Sequence, residues 1–192
     1  MAIIHLRLTP LSRASGANAI AAAARHAATV LVDQRSGETY DFSTEAGLVH
    51  QEIIGPGGAG DWWRDRQNLW NAAEQREVRR NARVAREYQL ALPHELSVTE
   101  RTELARHWGR FIVERYGGVI DVTVHAPPAD GDPRNHYAKM LATTRQVTSA
   151  GLGEKLGIEQ QKGEQSGPKE LRLLHQRWKL MIGAALRETI AV

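Results

Sequence analysis

The stretch VIDVTVH, residues 119–125, decides the fold class, because its β-branched content is typical of a strand. Two glycines precede it, and a loop rich in Pro, Asp and Gly follows over residues 126–135. Residues 137–147 then return as a second strand. The two segments predict an antiparallel pair that meets at the loop.

Working outward from this pair, the periodicity of apolar residues predicts further strands at 3–9, 40–42, 47–54 and 86–92. It also predicts helices at 17–31, 61–85, 99–116 and 169–188. Strands and helices mix without strict alternation, which favours an α+β fold. We expect a central antiparallel β-sheet with helices packed on one side.

The domain organisation follows from the same pattern. Residues 1–153 form one predicted domain, and residues 154–168 are polar and Gly-rich, which indicates a flexible segment. Residues 169–192 form a C-terminal helix that we expect to pack on the same domain.

Composition excludes several classes of protein. The 192 residues contain no cysteine, which excludes disulfides, thiolate chemistry and Cys-ligated zinc. No apolar run reaches the length of a membrane span, and the N-terminal MAIIHLRL is not a signal segment, so we expect a cytoplasmic protein. The net charge of +3 is only a mild indication of polyanionic partners.

Strand alternation places several polar residues on common faces of the predicted strands. These residues are Asp121, Thr123 and His125, then Tyr137 and Lys139, and on the strand 86–92 Glu87 and Gln89. Such a face needs solvent or a ligand, because buried polar groups must be paired. Two interpretations remain open here: a ligand-binding face, or the solvated side of a one-layer sheet.

A second feature is basic. Five arginines are spaced three or four residues apart, so on the predicted helix 61–85 and its end they would form one stripe. They are Arg76, Arg79, Arg80, Arg83 and Arg86. The stripe could follow a phosphate backbone, or it could be a solvated face that Glu74 and Glu77 partly neutralise.

Four stretches in order identify a family. They read MAIIHLRLTPLSRASGANAIAAAA (1–24), SGETYDFSTEAGLVHQEI (36–53), LWNAAEQREVRRNARVAREYQLALPHEL (69–96) and VIDVTVHAPPADGDPRNHYAKMLATTRQVTSAGLG (119–153). The chain resembles the MobA/MobL family of conjugative relaxases, plasmid-mobilisation nickases of the HUH class. The resemblance implies a sheet face that grips single-stranded DNA, a tyrosine that joins the 5′ end at the transfer origin, and a divalent Mg or Mn ion held by three histidines.

Carried over position by position, the resemblance indicates a degenerate site. Arg25 stands where the family has its nucleophilic tyrosine, and His125 matches the first metal histidine. Tyr137 and Lys139 occupy the positions of the family's HxH pair. Arginine stays protonated and an ammonium repels a metal ion, so we expect no bound metal cofactor.

Two further positions belong to the same comparison. Glu87 matches one acid of the family's EYEIALP strand, whereas Gln89 replaces the second acid. His136 matches the extra histidine that often precedes the HxH pair, and is a possible metal ligand.

We therefore expect a relaxase-like protein, impaired in nicking, that binds single-stranded or hairpin DNA at a transfer origin, with conjugation accessory proteins as possible partners and no membrane. Its phosphate contacts would come from Arg25, Lys139, Arg134 and the arginine stripe.

Two alternatives stay open. One is an active nickase with a relocated nucleophile, for which Tyr137 is favoured over Tyr40 and Tyr88 because it lies beside His125 in the predicted pair. Its metal ligands would be His125 and His136, with His26 or Asp121 as a further one. The other is a protein-interaction module without DNA binding, which an exposed patch of Trp62, Trp63 and Trp70 would favour.

Overall fold

A computed structural model describes residues 5–160 and 167–190. Its helices are α1 (Ala19–His26), α2 (Arg66–Arg76), α3 (Val98–Tyr116) and α4 (Gly167–Ile190). Its strands are β1 (Leu6–Ser12), β2 (Val30–Val32), β3 (Thr39–Asp41), β4 (Leu48–Ile54), β5 (Arg83–Leu92), β6 (Ile120–His125), β7 (His136–Thr143), β8 (Arg145–Thr148) and β9 (Gly151–Lys155).

The central sheet has five strands in the order β1–β5–β7–β6–β4, and every neighbouring pair is antiparallel. The predicted pair of strands around the 126–135 loop is β6 and β7. Two small hairpins, β2–β3 and β8–β9, lie outside this sheet. The α+β class and the antiparallel sheet are confirmed.

One face of the sheet packs against α3 and α4. Tyr88 of β5 and Met140 of β7 are fully buried there, together with Trp108 of α3 and Trp178 of α4. The two tryptophan rings meet edge to face, with centroids 5.5 Å apart. The C-terminal helix therefore shares its core with the rest of the domain.

Helices also cover part of the opposite face. Ile20 of α1 and Trp70 of α2 are fully buried against Leu141 of β7 and Ala85 of β5. Helices α3 and α4 pack on one side of the sheet, as predicted. In addition, α1 and α2 cover one half of the second face. The other half of that face carries the polar residues.

The predicted helix over 61–85 is wrong in both its beginning and its end. Trp62–Arg64 is a short 3-10 turn, and α2 begins after Asp65, whose carboxylate accepts the backbone N–H of Asn68 at 2.7 Å. The helix ends at Arg76, and β5 already begins at Arg83 because residues 83–92 alternate along a buried strand. The five arginines therefore do not share one helix.

Other boundaries also differ from the prediction. The first helix ends at His26 rather than at 31, since Val30–Val32 pairs with Thr39–Asp41 as a hairpin. The predicted strand 137–147 is divided into β7 and β8, and β1 continues through Pro10 to Ser12.

The segment predicted to be flexible, 154–168, has defined structure up to residue 160. Residues 154 and 155 end β9, and Leu156 and Ile158 are buried against the core, which fixes this part of the chain. Residues 161–166 lie outside the described residues, and α4 begins at Gly167. None of the helices in the described ranges is long and apolar enough to cross a membrane.

Candidate nucleic-acid interface

The register of the central strands brings the predicted polar residues together. His125 lies opposite Tyr137, and Lys139 lies between Thr123 on one neighbouring strand and Gln89 on the other. The predicted convergence is therefore confirmed. We call this surface the polar face, and define it by Glu87, Gln89, Thr123, His125, Tyr137 and Lys139.

His125 is held in one orientation by its neighbours. Its ring stacks on Tyr137 with centroids 5.0 Å apart and planes 9° from parallel. Its Nε2 lies 2.9 Å from Oγ1 of Thr123, and that hydroxyl donates to the carbonyl oxygen of Lys139 at 2.8 Å. Because the single hydroxyl proton is used in this way, Thr123 accepts from His125, which assigns the imidazole proton to Nε2.

The electrostatics of the face keep His125 neutral. Burial is the main cause that lowers the pKa of His125 to about 4, and electrostatic interactions with His26 and Lys139 add to it. Neutral pH is therefore well above its titration range, and Nδ1 carries the available lone pair.

Lys139 is the central charge of the polar face. Its Nζ lies 6.0 Å from the centroid of the Tyr137 ring. Within the ranges that the structure describes, it has no carboxylate within ion-pair distance. Its charge nevertheless contributes to lowering the pKa of Glu87. The face thus holds a half-buried ammonium that no close acid neutralises.

Glu87 is paired with His26, for which the sequence predicts only the role of a metal ligand in the alternative nickase. His26 is buried on the inner side of α1, and its Nε2 lies 2.7 Å from Oε1 of Glu87. This hydrogen bond is the main cause that lowers the pKa of Glu87. Nδ1 of His26 is buried and has no hydrogen-bond partner, so neither water nor a phosphate reaches it. The buried positions of α1 recur with helical spacing, and this spacing was the available signal that His26 points inward.

Arg25, the neighbour of His26, lies on the exposed side of α1. Its guanidinium stacks over Phe42 at 4.5 Å from the ring centroid. At the position where the resemblance places the family's tyrosine, this chain thus has a cation that contacts an aromatic ring beyond β3 and does not belong to the polar face.

Asp121 is fully engaged in a structural contact. Nε and Nη2 of Arg66 donate to its two oxygens at 2.7 and 2.8 Å, and Nε1 of Trp70 donates at 3.0 Å. Its side chain is 3% exposed. The alternative that makes Asp121 a metal ligand is not supported, because its oxygens already accept three hydrogen bonds.

The donor set does not fit a divalent ion. The pKa of Tyr137 is raised by burial, with Glu45 adding to the effect, so the phenol keeps its proton at neutral pH. Lys139 presents an ammonium, and His136 projects from the opposite side of β7, where burial, then Arg101 and His94, lower its pKa. Only His125 remains as a ligand, and no cluster of metal-binding side chains occurs in residues 5–160 and 167–190.

The arginines of the predicted stripe are distributed over three elements. Arg86 projects to the other face of the sheet, where it is buried and its Nε lies 2.6 Å from Oε1 of Glu159. The remaining four are exposed at the end of the sheet away from His125: Arg76, Arg79, Arg80 and Arg83. Arg83 precedes Gln89 by six positions on β5, and Gln89 lies opposite Lys139, which separates Arg83 from Lys139 by about 20 Å along the sheet.

Two other sets of predicted residues lie elsewhere. Arg134 is exposed in the loop before β7 and pairs with Asp132 at 2.7 Å. The tryptophans do not form an exposed patch, since Trp63 and Trp70 are buried and Nε1 of Trp62 donates to the carbonyl of Thr148. The feature that would favour a protein-interaction module is therefore missing.

Comparisons with known proteins agree with the sequence resemblance. Residues 17–188 match the model of the MobA/MobL family. The mobilization protein MobL of Acidithiobacillus ferridurans is 39% identical over 127 residues, 66% of this chain and 33% of that protein. The conjugal transfer protein TraA of Agrobacterium fabrum is 30% identical over 93% of this chain and 17% of its own length. The chain thus spans a third or less of these relatives.

A solved structure supports the same assignment. A chain described under "Molecular Basis of Vancomycin Resistance Transfer in Staphylococcus aureus" superposes with a TM-score of 0.86 at 26% identity. The match covers 97% of this chain and 94% of that one. Sequence, family model and fold coincide over almost the whole length, and the chain therefore belongs to the MobA/MobL family.

Proposed function

We propose that this chain binds single-stranded or hairpin DNA of a transfer origin on its polar face and does not nick it. The observation that carries the proposal is the ammonium of Lys139. By the family resemblance it stands at a position of the metal histidines, and within the described residues no carboxylate lies within ion-pair distance of it. A phosphate would supply the missing counter-charge.

The surroundings of Lys139 suit a phosphate oxygen. Gln89 and Tyr137 lie beside it on the same face and carry amide and phenol donors. The half-buried location strengthens a charge-assisted hydrogen bond relative to one in water. The carboxylate of Glu87 is already engaged by Nε2 of His26 at 2.7 Å.

The same geometry argues against phosphodiester cleavage. Arg25 has no deprotonated form at neutral pH and contacts Phe42 instead of the face. Tyr137 has a raised pKa, and its ring lies parallel to that of His125. Within residues 5–160 and 167–190, its hydroxyl has no hydrogen bond to a base that would activate it. We therefore favour binding over an active nickase with a relocated tyrosine.

The four exposed arginines extend the proposed interface. A distance of about 20 Å from Lys139 corresponds to about six base steps of a B-form stem. A hairpin could thus place its duplex against Arg76, Arg79 and Arg80 while its single-stranded part reaches the polar face. Arg134 is left out of this interface because its guanidinium is already paired with Asp132 through two hydrogen bonds, and Arg86 is left out because Glu159 neutralises it inside the protein.

Fluorescence anisotropy with a labelled transfer-origin oligonucleotide tests the proposal. We expect affinity to fall steeply between 50 and 200 mM salt, by an amount set by the number of phosphates contacted, and to be unchanged by EDTA. Lys139→Gln should weaken binding about tenfold and lower the salt slope by about one. The matched control is Lys179→Gln, which removes the same charge from the exposed side of α4.

Equal affinity at low and high salt would contradict the proposal, as would equal losses in the two lysine variants. A supercoiled plasmid carrying the same origin, incubated with Mg²⁺ or Mn²⁺ and resolved on a denaturing gel, tests the second half. A covalent 5′ adduct would show that nicking survives.

The absence of a metal cofactor is a separate proposal with its own test. Calorimetric titration with Mn²⁺ should show no binding tighter than millimolar to the natural chain. The double substitution Tyr137→His with Lys139→His, next to His125, should create a three-histidine site of measurable affinity. Tight binding to the natural chain would refute the proposal, because the donors would then have to come from residues that the geometry excludes.

A further inference from the structure

A groove opens at the end of the sheet beside the polar face. It has a volume of about 540 Å³. Its walls come from three parts of the chain: His5 before β1, Pro93 and His94 after β5, and Arg134 and Asn135 before β7. None of these residues takes part in the phosphate contact proposed for Lys139.

The groove is continuous with the polar face. Gln89 and Tyr137 line the groove and also belong to the polar face. Gln89 lies directly opposite Lys139 across the β5–β7 pair. A strand held at Lys139 would therefore pass the mouth of the groove within about one residue spacing.

The lining suits a planar, partly apolar group. Ala91, Leu92 and Pro93 supply an apolar surface, and the rings of His94 and Tyr137 supply flat ones. The volume lies in the range of small-molecule sites, which leaves room for a nucleoside. Asn135 and His5 add polar groups that could meet the edge of a base.

The charges of the groove disfavour a phosphate as its occupant. The guanidinium of Arg134 is already paired with Asp132 through two hydrogen bonds of 3.0 and 2.7 Å. Nδ1 of His94 lies 3.2 Å from a carboxylate oxygen of Glu95. The guanidinium at the rim thus already has a carboxylate partner, in contrast to Lys139.

We propose that this groove receives one unstacked base of the DNA strand whose adjacent phosphate lies at Lys139. The inference rests on the proposed function and adds to it a second contact, one that recognises a base and not a charge. Stacking in such a site is tolerant of base identity, whereas contacts from Asn135 and His5 would favour some bases over others.

An abasic scan tests the proposal. Oligonucleotides with a single abasic position, moved along the transfer-origin strand, are titrated against the natural chain by anisotropy. We expect one position to weaken binding about tenfold, since the loss of one stacked base costs this order of affinity. In the variant His5→Ala with His94→Ala, this penalty should disappear while the other positions keep theirs.

The matched control is His107→Ala, which removes an exposed imidazole from α3 outside the groove. The abasic penalty should persist in this control. A second variant, Ala91→Leu, fills the groove and should weaken binding of the intact oligonucleotide to the level of the abasic one.

Each outcome separates the two proposals. A flat abasic scan with intact binding, or a penalty that persists in the double histidine variant, would refute the groove contact and leave the proposed function standing. If the intact oligonucleotide does not bind the natural chain at all, the proposed function fails and this inference fails with it.

Discussion

Two halves of one sheet face differ in how their charged residues are paired. Near Ile120, Asp121 is buried and accepts three hydrogen bonds from Arg66 and Trp70. Two strand rungs further along, Lys139 is half-buried and has no close acid in the described part of the chain. The strands and their alternation are the same, so the difference lies in what α2 covers.

The difference separates structural charges from charges available to a ligand. A buried ion must be paired inside the protein, and α2 brings Arg66 and Trp70 over Asp121 for that purpose. A cation at the open half of the face can remain without an internal partner, because solvent reaches it until a ligand does. Chemical type alone does not make this distinction, since both halves carry acids, bases and aromatic residues.

The largest predicted effect concerns the half of the face that α2 covers around Asp121, which we call the structural half; the half around Lys139 is the open half. Arg66→Met should lower the free energy of unfolding by about 3–5 kcal/mol, because it leaves the buried carboxylate of Asp121 without its cation. The same change in the open half, Lys139→Met, should cost less than about 1 kcal/mol. Urea denaturation at pH 7 measures both. Similar losses would break the comparison, since Lys139 would then have a structural role as well.

The next largest effect is the pH dependence of stability that the lowered pKa of His125 causes. The pKa of His125 in the folded protein is about 4, below its ordinary value of 6.5, so the unfolded chain binds the proton more readily between these values. The stability contributed by neutral His125 is complete above pH 6.5 and is lost as the pH falls towards 4.

His125→Phe keeps a ring for stacking on Tyr137 and removes the titration. Between pH 7 and pH 4.5, the natural chain should lose about 2 kcal/mol more than this variant. Chemical denaturation at several pH values measures the difference. Parallel pH profiles would show that burial does not suppress the protonation of His125.

The sequence predicts the open half of this face better than the structural half. The alternation of VIDVTVH and of the returning strand is sufficient to place His125, Tyr137, Thr123 and Lys139 together, because period-two geometry and one hairpin fix the register. The contact of Arg66 with Asp121 joins residues 55 positions apart, and no local pattern encodes it. The His26–Glu87 pair depends in the same way on how α1 docks.

The arginine stripe shows why the helical interpretation failed. A spacing of three or four residues favours a helix. Within 76–86, however, the helix ends at Arg76 and a strand begins at Arg83, so the helical spacing of the arginines has no meaning there. On a strand the relevant period is two, which sends Arg86 to the opposite face from Glu87 and Gln89. The strand conformation of residues 83–92 is determined by the pairing of β5 with both β1 and β7, and not by the propensity of the segment itself.

The smallest predicted effect concerns the influence of the Lys139 charge on the pKa values of His125 and Glu87. Lys139→Met should raise the pKa of His125, because the repulsion of its protonated form is removed, and by less than about one unit, because burial is the larger cause. The pKa of Glu87 should rise as well, since the same cation helps to stabilise its carboxylate. Titration of the imidazole and carboxyl NMR signals measures both shifts.

The shared direction of the two shifts is what makes this measurement informative. A change in packing around the substituted side chain would alter burial at each site separately, whereas loss of one positive charge raises both pKa values together. Lys179→Met, on the exposed side of α4, should move neither. If the pKa values of His125 and Glu87 do not respond to the loss of Lys139, its ammonium does not set the electrostatics of the open half of the face, and that half loses its distinction from the structural half.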